Sequence, residues 1–569
     1  MRINSFSSGA GLSLALFLAA CGGGGSGGGS AASGGGSTGG SSPPAITPAP
    51  TFITEAEAAR LAKQASFGPT PDLIDQIVWR HTADNWIDGQ FALSTSTYAD
   101  IAAKPVTSDF CASKTGQDLT NCNRDNYSAT PVAMRFYANA VGNDDQLRQR
   151  VAFALSQIIV ASDLEVHTTA GLATFNQILL SNAFGNYRDI LAQATLNPFM
   201  GNYLDMADSN KNAPNENYAR ELMQLFSVGT VLLNQDGTPQ LGADNTAIAT
   251  YSGADVKEVA RALSGWTYAR LDGGAITEGS KIDYSKPMVM VASRFDTGAK
   301  TFLGATIPAA ASQRQNVDTV VDTLFNHPNT APFVSKRLIQ QLVIANPSPA
   351  YVARVSAAFA NNGSGVRGDM KAVVKAILTD PEARGSAATP GKVKEPVLFL
   401  TSLGRALGLK TDGYAFFYRD TVLGQAPFRA PSVFNYYPYD FPLPLGDGQV
   451  SPVSKLMTTS TIAARHNVAW DWTMGGDTRS EFQPQAVITG STGTQTAWAD
   501  WEALAADPDK LINRLDLVFL NGAMTTAQRN ALTTAVTAVK NADPALQARK
   551  RAQTALYIVA VSPQFQVDR

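Results

Sequence analysis

The sequence predicts a mainly α protein: one large multi-helical domain with a small β-hairpin and irregular inserted loops. Three observations lead there. Apolar residues recur every three to four positions in segment after segment, residues suited to helix starts and stops flank many of these segments, and only one pair of segments reads as a hairpin. With 569 residues, 44% of them hydrophobic, the chain has ample material for a large core. Its formal charge of −2 provides no basic field for nucleic acid.

The N-terminus comes first. Arg2 precedes an apolar run over 12–20 that ends Leu18-Ala19-Ala20-Cys21. Residues 1–20 read as a lipoprotein signal peptide, with Cys21 acylated as the mature N-terminus and the membrane as its partner. An ordinary cleaved signal is the alternative, and the run is too short to span a bilayer. Gly22 stands where aspartate would retain a lipoprotein at the inner membrane, so the expectation is a lipid-anchored envelope protein at the outer membrane. Residues 21–51 are almost entirely Gly, Ser, Ala, Thr and Pro beyond the cysteine, a tether whose Gly/Ser-coil reach is about 30 Å.

The folded domain is expected over 52–569. Helices are predicted over 55–67, ended by Gly68-Pro69, then 71–80 and 86–91. Residues 94–128 lack helical periodicity and read as an inserted loop. Cys111 and Cys122 lie in it, and export to an oxidising compartment predicts a disulfide between them, two free thiols being the alternative. Helices resume at 131–141, 144–162, 171–181 and 185–195. A weakly structured excursion covers 231–250. The helix at 253–265 opens with a capping-box-like Ser252 and Asp255, and Glu258 can pair with Arg261. Segments 288–295 and 300–307 form the expected hairpin. Helices follow at 313–326, 330–343, 350–361, 368–380 and 394–407, and, after an aromatic, proline-rich segment at 431–442 and a Thr/Gly-rich loop at 485–499, at 508–520, 525–541 and 545–561.

The most ordered placement of polar and apolar residues lies at 204–229, LDMADSNKNAPNENYARELMQLFSVG. It reads as an acidic turn feeding a helix, with Asn212 as cap, Pro214 in the first turn and Gly229 as the stop. Tyr218, Leu222, Leu225 and Phe226 make the buried stripe. Asn217, Arg220, Glu221 and Gln224 make the polar face, with Glu216 and Arg220 an i, i+4 pair.

PNENYARELMQLFSVG, followed by SGADVKEVARALSGWT at 252–267, resembles the signature of a bacterial exported family known as domain of unknown function 1800. ASFGPTPDLI at 65–74, NAFGNYRDIL at 182–191, FDTGAKTFLG at 295–304, HPNTAPFVSKRL at 327–338, LGQAPFRAPSVF at 423–434 and SPQFQV at 562–567 agree in order. The resemblance implies a predominantly helical fold and an export route, without an established reaction. Members are often encoded beside a second exported family similar to the alkaline phosphatase and sulfatase superfamily, which implies a protein partner of that kind. Two departures stand out. Phe295 occupies a position where many members have histidine, which weakens a metal or acid/base role for Asp296, and Asn435-Tyr436 stands near a frequent Gly-Trp.

Four constellations are candidates for chemistry. Asp208, Asn210, Asn212 and Glu216 follow the spacing of a calcium loop, but Ala213 and Ala219 replace its glycine and bidentate glutamate; an Asx-rich turn accounts for the same residues. No cofactor other than calcium is indicated. Glu216 and Glu221 form an acid pair of the kind glycoside hydrolysis needs, with Arg220 to orient them and Asp205 and Asp255 as candidate neighbours; a buried ion-pair network including Arg261 is the structural alternative. Arginines converging on a pocket could instead hold an anionic ligand. The aromatic residues Phe434, Tyr436, Tyr437 and Tyr439 could stack on sugars or seat a partner chain. His81, His167, His327 and His466 are isolated, so a helical zinc motif is missing, although His167 sits near Glu165. There is also no nucleophile elbow, P-loop, C-x-x-C pair or G-x-G-x-x-G following a strand.

The reading these features favour is an uncharacterised envelope lipoprotein that binds or assembles, docking an exported partner or an envelope polymer through Asn217, Gln224, Asp255, Arg261 and the aromatic segment. The alternatives are a hydrolase of a glycan or other envelope polymer using Glu216 and Glu221, and a purely structural helical scaffold.

Overall fold

The computed structural model describes residues 52–106, 109–271, 282–385, 391–443, 446 and 448–568. The signal peptide, Cys21 and the tether expected over 1–51 lie outside the described residues. Twenty-four α-helices and four two-stranded sheets are present among the described residues, and Phe52–Arg569 forms one compact unit. The mainly α expectation therefore holds. No described helix is long and apolar enough to cross a membrane.

Local chemistry explains many of the helix starts. The Thr54 hydroxyl accepts a hydrogen bond from the Glu57 amide while the Glu57 carboxylate accepts one from the Thr54 amide, and the same capping box opens the helices at Ser252, Ser312 and Thr525. Pro71, Pro349, Pro508 and Pro544 sit in first turns, where a missing N–H costs nothing. The apolar faces of these helices meet in a continuous core that includes Leu61, Val151, Tyr187, Leu222, Val374, Leu403 and Leu556. The C-terminal part of the domain packs back on earlier segments: Lys63 Nζ donates to the Phe519 carbonyl at 2.7 Å, and Val567–Asp568 pairs antiparallel with Lys392–Val393.

Several expectations are corrected. The 94–128 insertion contains two helices, Ala99–Ala102 and Gly116–Asn126. The second is polar almost throughout and shows no apolar stripe; Cys122 and Asn126 are its only buried residues. Cys111 and Cys122 are bridged as expected, with Cα atoms 5.9 Å apart. Replacing both with serine is expected to lower stability by about 3 kcal/mol in the chain-entropy picture. Hydrogen exchange should show 109–126 losing protection first, and unchanged protection there would contradict the assignment.

The expected hairpin of 288–295 with 300–307 does not form. Val289–Met290 pairs instead with Trp266–Thr267. The hairpin lies within the second segment, Lys300–Phe302 against Ala305–Ile307. Its two-residue turn, Leu303-Gly304, has both φ values positive, 48° and 77°, as a turn matching the strand twist requires. Helices at Tyr414–Asp420 and Thr459–Trp470, in stretches left unassigned from sequence, complete the body.

Candidate functional site

The helix of the central stretch runs over Asn217–Gln224, later than Asn212 and Pro214 would place it. Side chains of the acidic turn bond to the turn itself. Asn210 Oδ1 accepts from the Asn212 amide at 3.0 Å, and Asn215 Oδ1 accepts from the Asn217 amide at 2.9 Å, so Asn212 caps nothing and the helix begins after its Asx turns. The helix ends at Gln224 with Leu225 as its C-cap, before the expected stop at Gly229, which instead holds a left-handed turn at φ 72° with the Phe333 ring 2.8 Å from where a Cβ would sit.

Tyr218, Leu222 and Phe226 are buried as expected, and Tyr218 donates to Thr195 Oγ1 at 2.8 Å. On the polar side, Glu216 and Arg220 pair at 3.0 Å with both side chains substantially exposed; such a pair contributes little stability. Glu221 is different. It is 6% exposed, its Oε2 has no hydrogen-bond partner among the described residues, and burial raises its carboxyl above the ordinary range against a smaller opposing effect of the Arg220 charge. The expected pairing of Glu216 with Glu221, oriented by Arg220, is therefore not what the structure brings together. Five residues along a helix separate the two acids by more than a third of a turn, and Arg220 engages Glu216.

Glu221 instead has Tyr203 for a neighbour. The Tyr203 hydroxyl is buried without a hydrogen-bond partner among the described residues; burial, followed by the carboxylates of Glu165 and Glu221, pushes its ionisation up. Asn217, one helical turn before Glu221, donates from Nδ2 to Asp205 Oδ2 at 3.1 Å. Asp205 and Asp208 both hold left-handed backbone, φ 57° and 66°, a conformation that costs most residues energy and that aspartate tolerates. The site is thus a buried carboxyl and a buried phenol beside an Asp205–Asn217 bond, with the exposed Glu165 near the phenol. Glu221, Asn217 and Asp205 are among the residues the sequence singles out, and Glu165 enters there only as the neighbour of His167; Tyr203 is not among them, because its short helix Pro198–Tyr203 carries no polar pattern pointing to a site.

The remaining candidates are dispersed. Asp208 Oδ1 accepts from Thr267 Oγ1 at 2.6 Å and from the Arg294 guanidinium. With Asn210 in its Asx turn and Glu216 on Arg220, these three residues of the expected calcium set serve separate partners, and Asn212 is joined to the turn by its amide. No group of three or more His, Cys, Asp or Glu among the described residues is arranged to hold a metal ion. Asp255 caps its own helix and accepts from the Leu303 amide at 2.9 Å, tying in the hairpin turn. Arg261 lies between Glu258 at 2.7 Å and Asp296 at 2.8 Å, which raise its ionisation further. Gln224 is half-buried. In the aromatic segment only Phe434 is exposed among the four candidates; Tyr437 is buried, Tyr436 donates to the Ala426 carbonyl, and Tyr439 donates to the Gln157 carbonyl at 3.0 Å. The expected outward aromatic surface is therefore reduced to Phe434, because the Tyr436 and Tyr439 hydroxyls satisfy backbone carbonyls and Tyr437 is buried in the core.

Fold and site define a mainly helical protein whose central helix carries, on a polar face with Asn217, Arg220 and Gln224, one buried acid, Glu221, that has an oxygen without a hydrogen-bond partner among the described residues. The chain belongs to the family described as Protein of unknown function (DUF1800), whose model matches residues 60–567. Comparison with curated proteins and with solved structures finds no match.

Proposed function

We propose that the protein is a binding or assembly component of the cell envelope that takes hydroxyl- or amide-bearing groups of an envelope glycan at the Glu221 face. The observation that carries this reading is the pair of buried, unsatisfied groups, Glu221 Oε2 and the Tyr203 hydroxyl. Each costs about 1–3 kcal/mol unless it finds a partner. A carboxyl pushed toward its neutral form can both donate and accept, as can a phenol, and this suits a neutral polyol or amide better than a charged group.

Cosedimentation with purified peptidoglycan sacculi tests the reading. Glu221→Gln, which copies a neutral carboxyl in shape and hydrogen bonding, should bind within a few-fold of wild type and change stability by less than about 1 kcal/mol. Glu221→Leu should lose binding at least tenfold, since it cannot replace the hydrogen bonds. Equal binding by Glu221→Leu, or no binding by wild type, sinks the glycan reading and leaves an exported protein of the alkaline phosphatase and sulfatase type as the partner to seek.

A second reading, hydrolysis of such a polymer, is favoured by one observation: Glu165, exposed near Tyr203, and Glu221, buried there, are carboxyls of contrasting environment, the condition for acid and base roles to separate. Under it, Glu221→Gln binds sacculi but releases no fragments, whereas wild type releases them. The N-terminal LAAC motif supports attachment of the body to the outer membrane through a lipid on Cys21 and a flexible tether. Labelled palmitate should be incorporated by the full chain and not by Cys21→Ser; label in both would exclude Cys21 as the anchor.

A further inference from the structure

A cavity of about 470 Å³ opens on the flank of the Thr330–Leu342 helix, away from the residues that define the Glu221 face. Its size falls within the range of small-molecule sites. Lys336, Arg337, Phe333, Tyr439 and Asp440 are among its lining residues. The Arg337 guanidinium stacks 4.1 Å from the Tyr439 ring centre and 5.2 Å from that of Phe333, so its planar fork is held in place rather than free to sweep solvent. Tyr439 is itself fixed by its bond to the Gln157 carbonyl. Nη1 of Arg337 donates to Gln340 Oε1 at 3.2 Å, which leaves the rest of the fork uncommitted among the described contacts.

Neither cation forms an ion pair among the described residues. Asp236 lies near Lys336 and Asp440 near Arg337, close enough to favour the charged forms, yet desolvation outweighs them and lowers both cations below their ordinary values. Two adjacent positive groups, partly stripped of water and lacking a bonded counter-ion, cost stability that an incoming anion would offset.

We propose that this cavity binds an oxyanion, the carboxylate or phosphate group of a small ligand, with Arg337 supplying the planar fork and Lys336 the second charge. The stacked guanidinium sets the direction of approach, since bidentate contact requires the oxyanion to lie in its plane. The aromatic wall and the remaining cavity volume leave room for an organic portion beyond the anionic group. The Tyr439 of the aromatic segment thereby acquires a role in positioning Arg337, in place of the sugar-stacking role its sequence context suggested.

The experiment is titration calorimetry and thermal unfolding of the full chain with sodium phosphate and, separately, sodium succinate, against sodium chloride at matched ionic strength. Wild type should show saturable binding and a rise in unfolding temperature with at least one of the two probes; the probe that binds more tightly identifies the class. Lys336→Met keeps the aliphatic stem and removes one of the two desolvated charges, so it should weaken binding about tenfold without lowering the unfolding temperature in chloride. Arg337→Lys keeps charge but not the fork and should weaken it at least as much; if that variant fails to fold, Lys336→Met decides. Absence of saturable binding of either probe to wild type, or binding by Lys336→Met equal to wild type, overturns the proposal.

Discussion

Glu395→Gln is expected to destabilise the protein by about 3–5 kcal/mol at neutral pH, the cost of stranding buried charge when one partner is removed. Glu395 is fully buried. One oxygen accepts from Gln425 Nε2 at 3.0 Å and the other lies 3.6 Å from Lys392 Nζ. Lys392 and Arg150, also buried, both donate to the Gln341 carbonyl, and burial pulls Lys392 down to about 8 while Glu395 holds it up. Removing the Glu395 charge leaves these two cations without their nearest anion. The check is a thermal or urea unfolding cycle with Lys392→Met. The double variant, which deletes both charges, should recover much of the loss. An unchanged midpoint for Glu395→Gln would mean that the cluster is already neutral. The strand pairing of Lys392–Val393 with Val567–Asp568 sits on this cluster, and Lys394 pairs with Asp568 at 3.3 Å, so disorder of the C-terminus should accompany the loss.

Asp420→Asn should do the opposite, and only at higher pH. Asp420 has no solvent exposure; burial raises its carboxyl to about 7, against weaker opposing effects from Thr421, Arg429 and Tyr137. A carboxyl whose folded value lies above its unfolded value binds its proton more tightly in the folded state. Its contribution is therefore most favourable below about pH 4 and falls as pH rises through 7. Above pH 7 the penalty is on the order of 4 kcal/mol for a shift of this size. Asparagine mimics the protonated acid and escapes it. Unfolding temperatures of Asp420→Asn and wild type should coincide near pH 4 and separate in favour of the variant up to pH 8; a difference independent of pH would show that Asp420 is not the titrating group.

The expected helices were legible because their causes are local. A capping box needs residues three apart, and a buried stripe needs only the 3.6-residue period, so Ser252 with Asp255 and the Tyr218, Leu222 and Phe226 stripe could be read without knowing what they pack against. The Gly116–Asn126 helix escaped the same reading because it has almost no apolar stripe, and Cys122 ties it by a disulfide to Cys111. Strand partners were equally out of reach: nothing near Val289–Met290 in sequence marks Trp266–Thr267 as its mate.

The candidate site divides along the same line. The sequence alone determined the helical class, the polar face carrying Asn217 and Glu221, the Glu216–Arg220 pair and the cysteines that bridge. Only the tertiary structure decided that Glu221 is buried beside Tyr203, that Arg261 is taken up by Glu258 and Asp296, that most of the aromatic segment faces inward, and that Lys336 and Arg337 line a cavity without ion-pair partners among the described residues. The physical reason is that helix and cap energies come from neighbours within about one turn, whereas desolvation and ion pairing are set by groups brought together from distant parts of the chain. Those are the terms on which chemistry at this protein's surface depends.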